Sequence, residues 1–110
     1  MPVKVVDIFA GPGGLSEGFA AVRNRSGEPV FAHRLSVEIE PWAFETLKLR
    51  TFFRACLSDV PADYYRCLRQ EISIKAVYDA HPAIAKEVDG TCWNARLGPG
   101  GESTETVRDR

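Results

Sequence analysis

A glycine-rich turn near the N-terminus carries the residues most suited to chemistry. Gly11, Gly13 and Gly14 have no Cβ atom, so the backbone can adopt positive φ and a ligand can approach closely. Asp7 precedes them, and the free N–H groups of a following helix, near Leu15, would carry partial positive charge. An acid beside a positive helix end suits a ligand with both an ammonium group and a carboxylate, as in the methionine part of S-adenosylmethionine.

Glu38 is the second candidate, because it stands at the end of the next apolar run, Phe31 to Ile39. A carboxylate at the end of the second strand of a nucleotide-binding sheet can accept hydrogen bonds from both ribose hydroxyls. Glu40 is predicted instead to start the next helix, with Pro41 in its first turn. Glu38 is therefore the predicted ribose ligand.

These residues need a strand, a turn and a helix to position them, followed by a second strand. The apolar run Val3 to Val6 predicts the first strand, and Leu15, Phe19 and Val22 recur at helical spacing after the turn. A strand, a helix and a parallel strand require a right-handed crossover, which brings the end of the second strand beside the end of the first. The pattern indicates an α/β fold.

The rest of the chain is predicted to be largely helical. A helix follows Pro41, a second is capped by Ser58 or Asp59 with Pro61 in its first turn, and a third covers residues 84–97. The predicted units are residues 1–97, the N-terminal part of a cofactor-binding domain, and residues 98–110, a glycine-rich loop and the start of a helix capped at Ser103. We expect the natural protein to continue beyond that helix.

Composition limits the other possibilities. The chain has 110 residues, a net charge of −1 and 45% hydrophobic residues, so one small domain is expected and no basic nucleic-acid-binding face is indicated. Three cysteines without Cys-x-x-Cys spacing predict free thiols in a reducing cytoplasm. His33 and His81 stand apart from other metal ligands, so no metal site is predicted. No signal peptide and no membrane-spanning run are predicted.

The string from Asp7 to Phe19, Asp-x-Phe-x-Gly-x-Gly-Gly-Leu-Ser-x-Gly-Phe, closely resembles the first motif of the DNA cytosine-5-methyltransferases. The segment Val37-Glu38-Ile39-Glu40 resembles their second motif. The resemblance covers roughly the first half of the chain. It implies a Rossmann-like S-adenosylmethionine-dependent methyltransferase fold, here incomplete, with N-terminal strand–helix units and extra helices.

The same resemblance implies roles for single residues. Phe9, Gly11, Pro12 and Gly13 would contact the cofactor, Glu38 would bind the ribose, and Ile39 would cover the adenine. The full predicted cofactor-binding set is Asp7, Phe9, Ala10, Gly11, Pro12, Gly13, Gly14, Leu15, Glu38 and Ile39.

The family nucleophile has no counterpart in this chain. It is the cysteine of a Pro-Cys-Gln motif, which attacks a cytosine that has been flipped out of DNA. None of Cys56, Cys67 and Cys92 follows a proline, and the Glu-Asn-Val motif and a target-recognition region are absent. No catalytic residue is predicted. DNA would be a partner only through a full-length enzyme, and the chain alone is expected to be inactive.

Two other functions fit the same residues. The chain could be a non-catalytic subunit that binds S-adenosylmethionine and is completed by a partner chain or a second copy. It could also be a fragment of a dinucleotide-dependent oxidoreductase. Asp7 argues against the second because it would repel a pyrophosphate, and Phe9 stands where dinucleotide sites usually have small residues.

Overall fold

A parallel sheet of three strands, in the order β1-β2-β3, organises the chain. The computed structural model describes residues 1–110. The elements are β1 (Val3–Ile8), α1 (Gly14–Ala21), β2 (Phe31–Val37), α2 (Pro41–Ala55), α3 (Ala62–Leu68), α4 (Ile74–Ala80), α5 (Pro82–Thr91), β3 (Cys92–Trp93) and α6 (Thr104–Asp109). The predicted α/β class is confirmed, and a small parallel sheet linked by helices fits a Rossmann-like fold.

The first half of the chain folds as its pattern predicts. β1, the glycine turn, α1 and β2 follow in order, and β1 and β2 are parallel. Glu40 is the N-cap of α2, where its Oε2 atom accepts a hydrogen bond from the N–H of Ala43 (2.6 Å), and Pro41 is the first helical residue. Near the other end, Ser103 caps α6 as expected, accepting from the N–H of Thr106 (3.1 Å).

A bulge interrupts the pairing of β1 with β2. Val5 pairs with His33 but Val6 pairs with Leu35, so Arg34 is an extra residue in β2. Side chains alternate between the two faces of a regular strand, and the extra residue shifts that alternation by one. His33 and Ser36 consequently lie on the same face of the sheet although they are three positions apart.

The predicted helix over residues 84–97 is wrong in its second half. α5 ends at Thr91, and Cys92 and Trp93 form β3 by pairing with Ser36 and Val37 of β2. The periodicity of the local sequence does not reveal such a pairing, because the partners of the two strand residues are distant in sequence.

The predicted cap at Ser58 or Asp59 is also wrong. These residues continue the end of α2 as a turn, in which the N–H of Asp59 donates to the C=O of Cys56 (2.8 Å). α3 begins three residues later than Asp59, with Pro61 in the N-cap position and no side-chain cap. A separate helix, α4, is capped by Ser73, which accepts from the N–H of Ala76 (3.1 Å), and was not predicted. The predicted division at residue 97 stays a prediction.

The core lies mainly between the helices. Leu47, Phe52, Val77 and Val88, from α2, α4 and α5, are at most 1% exposed and form one cluster. A smaller cluster of Leu35, Val37 and Ala95 covers part of the sheet. No helix has the combination of length and apolar character that crossing a membrane requires.

Candidate cofactor-binding site

The ends of β1 and β2 place the glycine turn directly beside Glu38. The N–H of Ala10 donates to the C=O of Val37 (2.9 Å), so the pairing of the two strands continues past the end of β1. Parallel neighbours end at the same edge of a sheet, and ligands bind at that edge in open α/β folds. The two sequence segments that were predicted to form one site therefore adjoin in space.

The glycine turn has three residues in the left-handed region. Phe9 has φ 57°, Gly11 has φ 59° and Gly13 has φ 93°. A glycine is required at position 13 for two reasons. Its φ is unfavourable for other residues, and a Cβ there would lie 3.0 Å from Cδ1 of the buried Leu47. Phe9 adopts its unusual conformation while it is 78% exposed, which presents the ring to a ligand rather than to the core.

Glu38 is held by two backbone donors. Its Oε1 atom accepts from the N–H of Gly11 (2.9 Å), and its Oε2 atom accepts from the N–H of Glu40 (2.8 Å). These bonds, the one from Glu40 foremost, hold the pKa of the Glu38 carboxyl below its usual range. The carboxylate is thus charged and fixed beside the turn. Each of its oxygens has a second lone pair, so it can also accept from ribose hydroxyls.

A cavity of about 240 Å³ gathers three predicted site residues. Phe9, Glu38 and Ile39 line it, and four residues that were not predicted complete it: Val37, Ala95, Arg96 and Leu97. Most of these side chains are apolar, and Glu38 is the acceptor among them. The combination suits a flat apolar ring joined to a hydroxyl-bearing sugar.

The residues after β3 that form one wall of this cavity are joined to the end of β2 by the amide side chain of Asn94. Nδ2 of Asn94 donates to the C=O of Glu38 (2.8 Å) and to the C=O of Ile39 (3.2 Å). The next residues, Ala95 to Leu97, then lie against the cavity. The sequence pattern did not predict this wall, because the segment has the spacing of a helix. The adjacent aromatic Trp93 was a weak sign of a strand.

Asp7 does not line that cavity. It is buried, 8% exposed, and its Oδ2 atom accepts from the hydroxyl of Ser16 in the first turns of α1 (2.7 Å). In the structure it ties the start of α1 to the end of β1. Its predicted contact with an ammonium group stays a prediction.

The start of α1 offers unpaired donors on the other side of the glycine turn. The N–H groups of Gly14, Leu15 and Ser16 have no hydrogen-bond partner. Leu15 is 65% exposed, Gly14 is exposed, Pro12 is exposed, and Ala10 is buried. Since α1 is a helix of eight residues, its N-terminal end carries partial positive charge that favours a carboxylate.

The three cysteines lie elsewhere. Cys56 and Cys92 are buried and Cys67 is half-buried, and none of them lines the cavity. Burial raises the pKa of each thiol. No three His, Cys, Asp or Glu side chains are grouped in a way that could hold a metal ion.

The chain is similar to a Type II methyltransferase of Bacillus paralicheniformis. The two are 32% identical over 113 aligned positions, which cover 93% of this chain and 23% of that protein. The chain thus spans about a quarter of the length of the relative it matches. No protein-family model matches the chain, and no solved structure matches it. The similarity supports a relationship to methyltransferases.

Proposed function

We propose that this chain is the S-adenosylmethionine-binding part of a DNA cytosine-5-methyltransferase, an enzyme that transfers a methyl group from the cofactor to cytosine in DNA. The observation that carries the proposal is the cavity in which Phe9, Glu38 and Ile39 meet beside the glycine turn. The similarity to a Type II methyltransferase supports the same class of reaction. The resemblance of residues 7–19 to the family's first motif favours cytosine in DNA as the target.

Different residues would contact the adenine, the ribose and the methionine part of the cofactor. The apolar walls formed by Phe9, Ile39 and Leu97 would take the adenine, and the Glu38 carboxylate would accept from the ribose hydroxyls. The glycine turn leaves room for the methionine part, whose carboxylate would face the free N–H groups of α1. When bound, the cofactor supplies the methyl group on a positively charged sulfur. The chain's own residues bind and orient it.

The base-attacking step would belong to residues outside this sequence. No cysteine lines the cavity, and none follows a proline. We propose that the parent enzyme acts in the cytoplasm as part of a restriction–modification system, and that this chain alone has no turnover on DNA.

Calorimetric titration with S-adenosylmethionine tests the cofactor assignment. Glu38→Ala removes an acceptor of hydrogen bonds to a charged group, each of which contributes about 1.5–3 kcal/mol. We expect binding to weaken about ten- to a hundredfold. Glu28→Ala, at an exposed glutamate of the loop before β2, is the matched control and should bind as the wild type does.

NAD serves as the second ligand in the same titration. Binding of S-adenosylmethionine without binding of NAD supports the methyltransferase assignment. Preference for NAD would replace it with the dinucleotide-dependent class. A folded chain that binds S-adenosylmethionine equally well with and without the Glu38 carboxylate would refute the ribose role.

A further inference from the structure

Four polar side chains form a continuous chain of contacts beneath the glycine turn. The hydroxyl of Ser16 donates to Oδ2 of Asp7 (2.7 Å) and lies 3.5 Å from the hydroxyl oxygen of Ser36. That hydroxyl in turn lies 2.6 Å from Nε2 of His33. Ser36 is 0% exposed, Ser16 7% and Asp7 8%, so the contacts are shielded from water.

The bulge in β2 makes this chain of contacts possible. In a regular strand His33 and Ser36 would point to opposite faces, because residues three apart alternate. The extra residue at Arg34 turns both side chains toward α1, on the face that also carries Asp7. Bulges commonly re-aim a side chain next to a site. Here the bulge joins His33 to the helix whose free N–H groups follow the glycine turn.

Charged groups approach His33 from three elements. It lines a cavity of about 80 Å³ between α1 and α2 together with Glu17, Arg50 and Arg54. Glu17 forms an ion pair with Arg54 (2.6 Å), whereas Arg50 forms none. Asp7 faces His33 from β1 through the two serines.

We propose that His33 is a positioning residue for cofactor binding, because it fixes the position of the first turn of α1 through Ser36 and Ser16. Protonation of its ring weakens cofactor binding. The inference rests on the proposed function, since it assigns the regulation of that same site.

Protonation changes both the hydrogen bonds and the charge at this point. A protonated imidazole donates from both nitrogens, so Ser36 must accept from His33 and direct its own hydrogen at Ser16. The ring also becomes a cation in a half-buried place beside Arg50 and Arg54. We expect this charge to loosen the packing of α1 on β2. A positively charged cofactor would be repelled in addition, so both effects weaken binding.

The direction of the pH response follows from burial. Burial lowers the pKa of His33 and outweighs the opposing effects of the Leu35 backbone and of the Asp7 and Glu17 carboxylates. The ring is therefore neutral at neutral pH. Binding should be constant there and fall by up to about tenfold for each pH unit below the midpoint of His33.

The test is calorimetric titration with S-adenosylmethionine between about pH 4.5 and about pH 7, a range that extends below the ordinary pKa of histidine because burial lowers that of His33. The chain has two histidines, so the second one provides a matched control. His33→Gln should bind with little dependence on pH. His81→Gln, which alters a histidine that lies 3.5 Å from Asp63 on another part of the molecule, should keep the wild-type fall. An unchanged fall in His33→Gln would overturn the proposal.

A second measurement needs no cofactor and separates this inference from the proposed function. In nuclear magnetic resonance spectra, the backbone amides of Leu15 and Ser16 should shift with the midpoint of His33. The shift should be absent in Ser36→Ala, which keeps the histidine but breaks the contact. Amides that do not respond to pH in the wild type would overturn the positioning role. Failure to bind S-adenosylmethionine at any pH would instead refute the proposed function.

Discussion

Replacing Gly13 with alanine should destabilise the chain for two separable reasons. At φ 93° an alanine is strained, which destabilises the folded chain, whereas the smaller entropy of its unfolded chain favours folding. The net cost is about 1 kcal/mol. The new methyl group would also lie 3.0 Å from Cδ1 of Leu47, which is 1% exposed and cannot move freely. Forcing that contact adds about 1 kcal/mol or more. We expect Gly13→Ala to lower the free energy of unfolding by about 2 kcal/mol.

Two other glycines separate these contributions. Gly11 has φ 59°, but a Cβ added there would meet no atom within 4 Å, so Gly11→Ala should show only the strain, about 1 kcal/mol. Gly18 lies within α1, in open space and without a left-handed φ. Gly18→Ala should therefore stabilise the chain by about 0.5–1 kcal/mol through helix propensity.

Urea unfolding followed by circular dichroism measures all three variants against the wild type. In thermal unfolding, a change of about 1 kcal/mol corresponds to a shift of about 4–8 °C in a domain of this size. If Gly13→Ala were no less stable than Gly11→Ala, the contact with Leu47 would not constrain the turn. If Gly18→Ala were destabilised as much as Gly13→Ala, the explanation from backbone conformation would be refuted.

Two further predictions concern the site and its support. Phe9→Gly should leave the free energy of unfolding within about 1 kcal/mol of wild type, because relief of the left-handed strain offsets the greater entropy of the unfolded chain. It should nevertheless weaken S-adenosylmethionine binding severalfold. Equal affinity in calorimetry would show that the exposed ring does not contact the cofactor. The ion pair of Arg54 with Glu17, 2.6 Å long and partly exposed, joins α2 to α1 and should contribute about 0.5–1 kcal/mol. A double-mutant cycle of Arg54→Gln and Glu17→Gln measures that coupling, and a value of zero would mean that the pair does not hold the two helices together.

The part of the site that depends on local sequence could be predicted. The strand–turn–helix around the glycines is a local pattern, and Glu38 stands at a position fixed by the next strand. These segments meet because β1 and β2 are parallel neighbours, which end at the same edge of the sheet.

The remaining wall depends on pairing between distant residues. Trp93 joins the sheet by lying next to Val37, and Asn94 reaches the carbonyls of Glu38 and Ile39. Neither contact leaves a periodic trace in the sequence. The bulge at Arg34 leaves none either, although it decides which face His33 occupies. Asp7 illustrates a different limit, because its hydrogen-bond partner, Ser16, lies on the following helix and could not be read from the strand pattern.

The burial of the thiols gives this chain an internal reporter of opening. Alkylating reagents attack the thiolate, and Cys56 and Cys92 are buried with raised pKa, so the folded chain should react slowly at both positions. Cys56 follows α2 and Cys92 begins β3, but both side chains lie in the cluster of Leu47, Phe52, Val77 and Val88. Their labelling rates therefore report on the opening of this one core. The Cys92 thiol donates to Oγ1 of Thr51 in α2 (3.2 Å), so its labelling would show the separation of α2 from β3 without any label added to the chain.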